Sequence, residues 1–195
     1  KYPVDLSASL KEKMPRIMGF SNYSWNINLS YEYIKQIKAR YPETVIVMGG
    51  PNYGLSEEEM QDFWDRYPLI DFYIVFEGEL AIVNLVKTLI GNKFDVVATK
   101  RDPVKIPNCH YMFENVLTKS EPLPRIKDLS SLPSPYLMGL MDKFFDDQLY
   151  PLIETNRGCP FSCSFCQQGT QYFNKIAFRG LDDCVEEFNF ITEKM

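Results

Sequence analysis

The amino-acid sequence predicts an α/β fold in which the first ninety residues form a doubly wound parallel sheet. Three short apolar runs, at 16–20, 44–48 and 70–76, are each followed by a segment with helical spacing of apolar residues. Strands and helices that alternate in this way are joined by right-handed crossovers and build a parallel sheet. With 45% hydrophobic and 24% charged residues among 195, the composition is that of a globular chain.

The helices of this first segment are placed by local signals. They are predicted over 29–40, over 57–66 and after 77–79. Asn28 is available as the N-cap of the first helix, Pro42 ends it, and Gly91 ends the third. Ligands of parallel sheets bind at the carboxyl ends of the strands. The candidate ligand-binding loops are therefore those that leave the three strands: 21–26, 49–52 and 77–79.

The alternation breaks near residue 94, which divides the chain into three predicted segments. Eight of the thirteen prolines lie between Pro103 and Pro160, and proline excludes a central strand or a long helix. The segments are the α/β domain at 1–93, a small strand pair with a proline-rich linker at 94–148, and a third segment at 149–195. In the third segment, a strand is predicted at 152–155 and a helix at 181–194. That helix carries four apolar residues on one face: Leu181, Cys184, Phe188 and Ile191.

Charge and hydropathy exclude two classes of partner. The 21 basic and 26 acidic residues give a formal net charge of −5, whereas nucleic-acid binding favours a basic face. No apolar run approaches the roughly 18 residues that a membrane span needs, and residues 1–13 lack the apolar core of a signal peptide. We therefore expect a cytoplasmic protein that binds neither nucleic acid nor a membrane.

A cluster of cysteines marks a second candidate site. Three of the five cysteines form the pattern Cys159-x3-Cys163-x2-Cys166, directly after the predicted strand. Clustered thiols in a chain without an export signal indicate metal or redox chemistry rather than disulfides. Thiolates hold iron–sulfur clusters, and three ligands leave one iron of a cubane open to a small molecule. Zinc is the alternative, but structural zinc sites have four ligands, and Cys184 and His110 are poor candidates for the fourth.

This motif, with Phe165 directly before the last cysteine, resembles that of the radical S-adenosylmethionine (radical SAM) superfamily. The segments ETNRGCP at 154–160 and LPSPY at 132–136 are similar to those of its cobalamin-binding branch. Upstream, three segments resemble the cobalamin-domain loops of that branch in matching order: 19–26, 49–51 and 77–79. The resemblance extends over nearly the whole chain.

The resemblance implies a fold and a set of ligands. The fold is a Rossmann-like cobalamin-binding domain, incomplete at its start, followed by the first strand–helix unit of a radical SAM partial TIM-type barrel. Cys159, Cys163 and Cys166 would hold a 4Fe-4S cluster, and Phe165 would lie near the adenine of S-adenosylmethionine. The residues that would line cobalamin lie in the three loops: Ser21, Asn22, Tyr23, Trp25, Asn26, Gly49, Gly50, Pro51, Glu77, Gly78 and Glu79.

The function implied is that of a cobalamin-dependent radical SAM enzyme that methylates an unactivated carbon. Ring formation or rearrangement is the alternative reaction, and a non-catalytic iron–sulfur electron-transfer or metal-binding module is the alternative class. The resemblance also implies a small-molecule substrate and an electron donor such as flavodoxin or ferredoxin. Because one strand–helix unit is far from a complete barrel, we expect this chain to be an excerpt of a longer enzyme and inactive alone.

Several of these residues also have structural interpretations. The segment 49–51 is compatible with a tight turn after a buried strand, and 77–79 with a helix start that places acids at its positive end. Packing is the alternative role for Tyr23 and Trp25. Three further residues are expected to be structural: Cys109, His110 and Cys184.

Overall fold

The computed structural model describes residues 3–102, 106–146, 149–166, 169 and 172–195. The chain forms two compact units, Lys1–Leu123 and Pro124–Met195. The boundary lies neither at residue 93 nor at residue 148, where the sequence predicts one, because the strands after residue 108 extend the sheet of the first unit. No helix in the described part of the chain is both long enough and apolar enough to cross a membrane.

The first unit is built on a mixed sheet of five strands. In spatial order these are β1 (Ile17–Ser21), β2 (Val45–Gly49), β3 (Phe72–Ile74), β4 (Cys109–Phe113) and β5 (Val116–Thr118). Strands β1, β2 and β3 are parallel, whereas β4 pairs antiparallel with β3, and β5 pairs antiparallel with β4. The predicted parallel sheet is therefore confirmed for β1, β2 and β3, and the antiparallel hairpin β4–β5 extends it into a mixed sheet.

The helices of the first unit are α1 (Pro3–Glu12), α2 (Ile27–Arg40), α3 (Glu57–Arg66), α4 (Glu79–Gly91) and α5 (Val96–Arg101). Helix α3 has the predicted bounds, and a capping box between Ser56 and Glu59 fixes its start. The N-cap position of α2 is occupied by Asn26 rather than the predicted Asn28. The strand pair predicted over 94–112 is instead α5, whose first turn is capped by Asp95, followed by the hairpin β4–β5.

Helices cover both faces of the sheet, as a doubly wound arrangement requires. Alternate residues of a strand point to opposite faces. Accordingly, Ile46 and Met48 of β2 pack in one core cluster with α2 and α3, while the two valines of β2 pack in another with α4. The cluster under α3 is rich in aromatic side chains, of which Trp64 and Tyr73 are fully buried.

The second unit contains the helix α6 (Leu181–Lys194) and two short antiparallel strands, β6 (Asn156–Arg157) and β7 (Ala177–Phe178). The strand predicted at 152–155 is wrong, because the backbone N–H and C=O of Leu152 bond to the Tyr136 hydroxyl instead of a neighbouring strand, at 2.9 and 3.2 Å. The described residues of this unit do not show the predicted strand–helix unit of a barrel.

Helix α6 has the predicted bounds but buries a different face. Its buried residues are Glu187 and Ile191, whereas Leu181 and Phe188 are 77% and 57% exposed. The Glu187 carboxylate is accommodated inside because it accepts a hydrogen bond from Ser134 Oγ. Of the apolar face, Ile191 is buried while Leu181 and Phe188 stay exposed, and a buried carboxylate, Glu187, lies on the side of the helix that packs.

Candidate functional site

The three loops predicted to bind a ligand begin at one edge of the sheet in the first unit. In the parallel ladder, Ser21 at the end of β1 pairs with Gly49 at the end of β2, and Gly49 pairs with Ile74 at the end of β3. The loops are 21–26, 49–52 and 77–79. The carboxyl ends of the parallel strands thus bring together segments that lie far apart in the sequence.

The first two loops are joined by buried hydrogen bonds around Asn22, which is completely inaccessible to solvent. Its backbone N–H donates to the Gly49 carbonyl at 2.6 Å. Its side-chain Nδ2 donates to the Asn52 carbonyl at 2.6 Å, and Asn52 Nδ2 donates back to Asn22 Oδ1 at 3.1 Å. Asn22 was predicted to line the cofactor, but its amide is used within the protein, where it fixes the two loops to each other.

Gly50 is required by the close approach of these loops. Its φ of +129° lies in a region that L side chains rarely adopt, and a Cβ at this position would lie 2.6 Å from the Asn22 carbonyl oxygen. The tight-turn interpretation of 49–51 therefore accounts for Gly50. It does not compete with a ligand-binding role, since the same turn exposes Pro51.

Tyr23 and Trp25 form an exposed aromatic stack in the first loop. Their ring centroids are 4.6 Å apart, with an angle of 15° between the ring planes, and Trp25 is 80% exposed. Trp25 therefore lies outside the core of the first unit and packs on Tyr23 at the surface. An exposed aromatic stack beside the ends of parallel strands can take up a flat apolar ligand.

The remaining polar side chains of the first loop hold its own shape. Asn26 Oδ1 accepts a hydrogen bond from the Tyr23 backbone N–H at 2.8 Å, and Asn26 Nδ2 donates to Ser21 Oγ at 2.9 Å. Ser21 and Asn26, both predicted to line cobalamin, thus support the backbone that carries the aromatic stack.

The third loop is held by Asn108, a residue that the sequence analysis does not identify. Asn108 is fully buried, and its Nδ2 donates to the Glu77 carbonyl at 3.0 Å, while its own carbonyl accepts from the Val75 N–H at 2.8 Å. Its φ of +54° is a left-handed conformation that asparagine tolerates better than most residues. The signal in the sequence is Pro107 followed by Asn108, which are favoured at the second and third positions of a β-turn.

Glu77, Gly78 and Glu79 continue from this loop into α4. Glu77 is buried, Gly78 is the N-cap of the helix with helical backbone, and Glu79 is its first residue. An acidic residue in the first turn stabilises the positive end of the helix dipole. The structural interpretation of 77–79 as a helix start therefore holds for Gly78 and Glu79.

An aromatic network lies behind the second loop. Tyr53 stacks on Tyr73, with centroids 4.1 Å apart and an interplanar angle of 18°. The Tyr53 hydroxyl accepts a hydrogen bond from Trp64 Nε1 at 3.0 Å and lies 3.2 Å from His110 Nδ1. Burial raises the pKa of Tyr53 to about 12. Burial, with a smaller contribution from Lys119, lowers the pKa of His110 to about 4, so the imidazole is neutral at pH 7.

Cys109 and His110 both lie in the core of the first unit. Burial raises the pKa of the Cys109 thiol to about 12, which keeps it protonated and unreactive at pH 7. The structure thus agrees with the structural interpretation of this pair.

The three predicted cluster ligands lie on one loop of the second unit. Cys159, Cys163 and Cys166 are free thiols, of which Cys163 and Cys166 are exposed. The Cys166 N–H donates to the Cys163 carbonyl at 3.1 Å, so a tight turn joins these two residues. The Cys159 N–H donates to the Phe173 carbonyl at 2.9 Å, which ties the start of the loop to its return.

The donor set of this loop suits an iron–sulfur cluster in its chemistry, since exposed free thiols are the ligands that such clusters take. Within the described ranges, no three cysteine, histidine or carboxylate side chains converge closely enough to hold a metal ion. The cluster therefore stays a prediction that rests on the spacing and on the free thiols. Phe165, predicted to contact S-adenosylmethionine, is 91% exposed.

The chain was compared with known proteins. Residues 3–86 match the family model described as B12 binding domain. The chain is 34% identical over 201 residues to the cobalamin-dependent radical SAM methyltransferase TokK of Streptomyces tokunonensis, a match that covers 95% of this chain and 28% of that protein. It is 29% identical over 185 residues to the 2-(S-pantetheinyl)-carbapenam-3-carboxylate methyltransferase of Streptantibioticus cattleyicolor, covering 92% and 26%. It is 27% identical over 194 residues to the hopanoid C-3 methylase of Methylococcus capsulatus, covering 97% and 35%.

The chain thus spans about a quarter to a third of the length of these relatives. The B12 binding match includes all three loops at the edge of the sheet. The similarity to the first relative extends over 95% of the chain. The chain belongs to the cobalamin-binding branch of the radical S-adenosylmethionine superfamily.

Proposed function

We propose that this chain takes part in the cobalamin-dependent radical SAM methylation of an unactivated carbon in a small molecule. The observation that carries the proposal is the meeting of three loops, within the B12 binding match, at the carboxyl edge of β1, β2 and β3. The names of these three relatives describe methyltransferases or a methylase, which supports methyl transfer as the reaction.

Cobalamin would lie against the first and second loops of the first unit. The exposed stack of Tyr23 and Trp25 offers an apolar surface to a flat ring. Asn22 and Asn26 would support this surface from within the loops. Bound cobalamin would carry the methyl group that S-adenosylmethionine supplies.

Cys159, Cys163 and Cys166 would hold a 4Fe-4S cluster in the second unit, with one iron left for S-adenosylmethionine. Phe165 would then lie near the adenine, where its exposed ring can be covered. An electron donor such as flavodoxin or ferredoxin would reduce the cluster.

The first test is cobalamin binding by the purified chain. We expect hydroxocobalamin to bind with a stoichiometry near one per chain in equilibrium dialysis, because the edge site lies within residues 3–86. Trp25→Ala removes the larger ring of the exposed stack and should weaken binding, whereas Trp64 is buried and remains unchanged as an internal probe of folding. Absence of binding by the folded wild-type chain would contradict the proposal.

The second test concerns the cluster. After anaerobic reconstitution with iron and sulfide, the wild-type chain and the Cys184→Ala variant should carry a 4Fe-4S cluster, whereas Cys163→Ala should not. Cys184 is the matched control, because it is a free cysteine of the same unit outside the motif. The reconstituted cluster is then chemically reduced to its paramagnetic state, and an electron paramagnetic resonance signal that changes when S-adenosylmethionine is added would support an open iron. Unchanged iron content in Cys163→Ala, or zinc in place of iron, would contradict the cluster assignment.

A further inference from the structure

We infer that Tyr73 is a positioning residue for the cobalamin site, which sets the affinity for the corrinoid through one hydroxyl group without touching the ligand. This inference rests on the proposed function. Tyr73 lies on β3 and is completely buried. Its hydroxyl donates a hydrogen bond to the Gly50 carbonyl at 2.7 Å and accepts one from Asn22 Nδ2 at 3.1 Å. One buried oxygen thus joins both loops that would face cobalamin.

The ring of Tyr73 is held so that its hydroxyl has one position. Tyr53 stacks on one of its faces at 4.1 Å between centroids, and Phe63 meets it edge-on at 5.2 Å. Tyr53 is itself fixed by the hydrogen bond from Trp64 Nε1 and by its contact with His110 Nδ1. The packing of these rings between the sheet and the helices therefore defines the position of the loops.

Removal of the Tyr73 hydroxyl should affect the second loop, which contains Gly50, more than the first loop, which contains Asn22. Asn22 Nδ2 keeps its bond to the Asn52 carbonyl, and the Asn22 N–H keeps its bond to Gly49. The Gly50 carbonyl, in contrast, loses the donor that the Tyr73 hydroxyl provides. Gly50 has a φ of +129°, and glycine can adopt many other backbone conformations as well. The turn can therefore relax once this bond is gone. The second loop should therefore sample conformations that do not bind cobalamin.

The test uses Tyr73→Phe and a matched control, Tyr111→Phe. Tyr111 lies on β4 of the same sheet, is also buried, and its hydroxyl also donates to a backbone carbonyl, that of Lys100 at 3.3 Å. It packs in the other core cluster, on the opposite face of the sheet. Both variants lose one oxygen and one part-buried hydrogen bond to a backbone carbonyl. Tyr73→Phe also loses the bond from Asn22 Nδ2, so it alone of the two variants removes contacts to the first and second loops.

The affinity for hydroxocobalamin is measured by equilibrium dialysis, and the stability by urea unfolding. We expect Tyr73→Phe to bind about tenfold more weakly, since the net contribution of one hydrogen bond corresponds to roughly that factor, while Tyr111→Phe binds as the wild type does. In cofactor-free protein, amide hydrogen exchange at 49–52 should be faster in Tyr73→Phe than in Tyr111→Phe. This second readout requires no ligand.

The outcomes distinguish a failure of the proposed function from a failure of the inference about Tyr73. If the wild-type chain does not bind hydroxocobalamin, the proposed function fails and this inference fails with it. If the wild type binds and Tyr73→Phe binds equally well, or if both variants are weakened alike, the inference is overturned and the proposed function stands. If Tyr73→Phe does not fold, Asn22→Ser is measured in its place, because it breaks the first-loop half of the link, the bond from Asn22 Nδ2 to the Tyr73 hydroxyl, together with the two bonds between Asn22 and Asn52. Unchanged affinity in that variant also overturns the inference.

Discussion

Acidification should destabilise the first unit through His110. Burial is the main cause that lowers its pKa from 6.5 to about 4, and Lys119 lowers it further, while Glu57 acts in the opposite direction. In the unfolded chain the imidazole takes up a proton below about pH 6.5, whereas in the folded chain it does so only near pH 4. The stabilisation that the neutral imidazole of His110 contributes is therefore fully present above pH 6.5 and is lost as the pH falls towards 4.

The magnitude follows from the fall of the His110 pKa from 6.5 to about 4. Since one pKa unit corresponds to about 1.4 kcal/mol, this fall predicts a loss of about 3 kcal/mol between pH 7 and pH 4. Protonation would also place a charge beside the Tyr53 hydroxyl, 3.2 Å from Nδ1, in a layer of buried aromatic rings. That layer offers few groups to solvate the charge.

The assay is urea unfolding at several pH values, followed by tryptophan fluorescence. The chain has two tryptophans, of which Trp64 is buried next to the network of His110 while Trp25 is already exposed in the folded state. The change in emission therefore reports mainly on Trp64. The control is His110→Asn, which cannot titrate in this range but keeps a short acceptor. Carboxylates titrate in both proteins, so the difference between the two profiles isolates His110.

The wild-type chain should be the more stable of the two at pH 7, because His110→Asn leaves part of the ring volume unfilled. This advantage should shrink by about 3 kcal/mol as the pH is lowered to 4. Parallel stability profiles for the two proteins would refute the reasoning, since they would mean that His110 titrates alike in the folded and unfolded chains.

Two further predictions concern the loops. Gly50→Ala should destabilise the first unit by about 2–3 kcal/mol, because the added Cβ would meet the Asn22 backbone at an unfavourable φ. The control is Gly91→Ala in α4, where the space is open and the change should be neutral or stabilising by up to about 1 kcal/mol. Urea unfolding measures both variants, and equal effects would contradict this prediction. Arg125 donates to the Arg157 carbonyl at 3.1 Å, at the start of the cysteine loop. Arg125→Gln should therefore speed amide exchange at 156–159, by mass spectrometry, and unchanged exchange would show that the guanidinium does not restrain the loop.

Elements set by local signals could be predicted from the sequence. The bounds of α3 were predictable because Ser56 and Glu59 form a capping box and Pro68 follows the helix. Strand β2 was predictable because its run of apolar, mostly β-branched residues is buried on both faces. The strand predicted at 152–155 is wrong because the backbone of Leu152 forms hydrogen bonds with the side-chain hydroxyl of Tyr136, sixteen residues away, rather than with a neighbouring strand.

The meeting of the three loops at one edge of the sheet was predictable, but the contacts of their residues were not. Asn22 and Trp25 lie in one loop and received the same predicted role, yet one is completely buried and the other is 80% exposed. The difference arises from Tyr73, fifty-one residues later, whose hydroxyl meets Asn22. The role of Asn108 could not be predicted for the same reason, because its hydrogen-bond partner, the Glu77 carbonyl, is thirty-one residues away. Loop periodicity carries no information about such pairs.

The first loop combines a rigid inner end with an exposed outer surface. Asn22 is bonded to the second loop and to Tyr73, so hydrogen bonds within the protein restrain the backbone there. Trp25, three residues later, is stacked on Tyr23 in solvent. Ordering one residue of flexible backbone costs about 1–2 kcal/mol. A loop that is already fixed therefore retains more of the free energy gained when a ligand covers its aromatic rings. Affinity for a large planar ligand at this edge should accordingly depend on the buried amides as much as on the exposed rings.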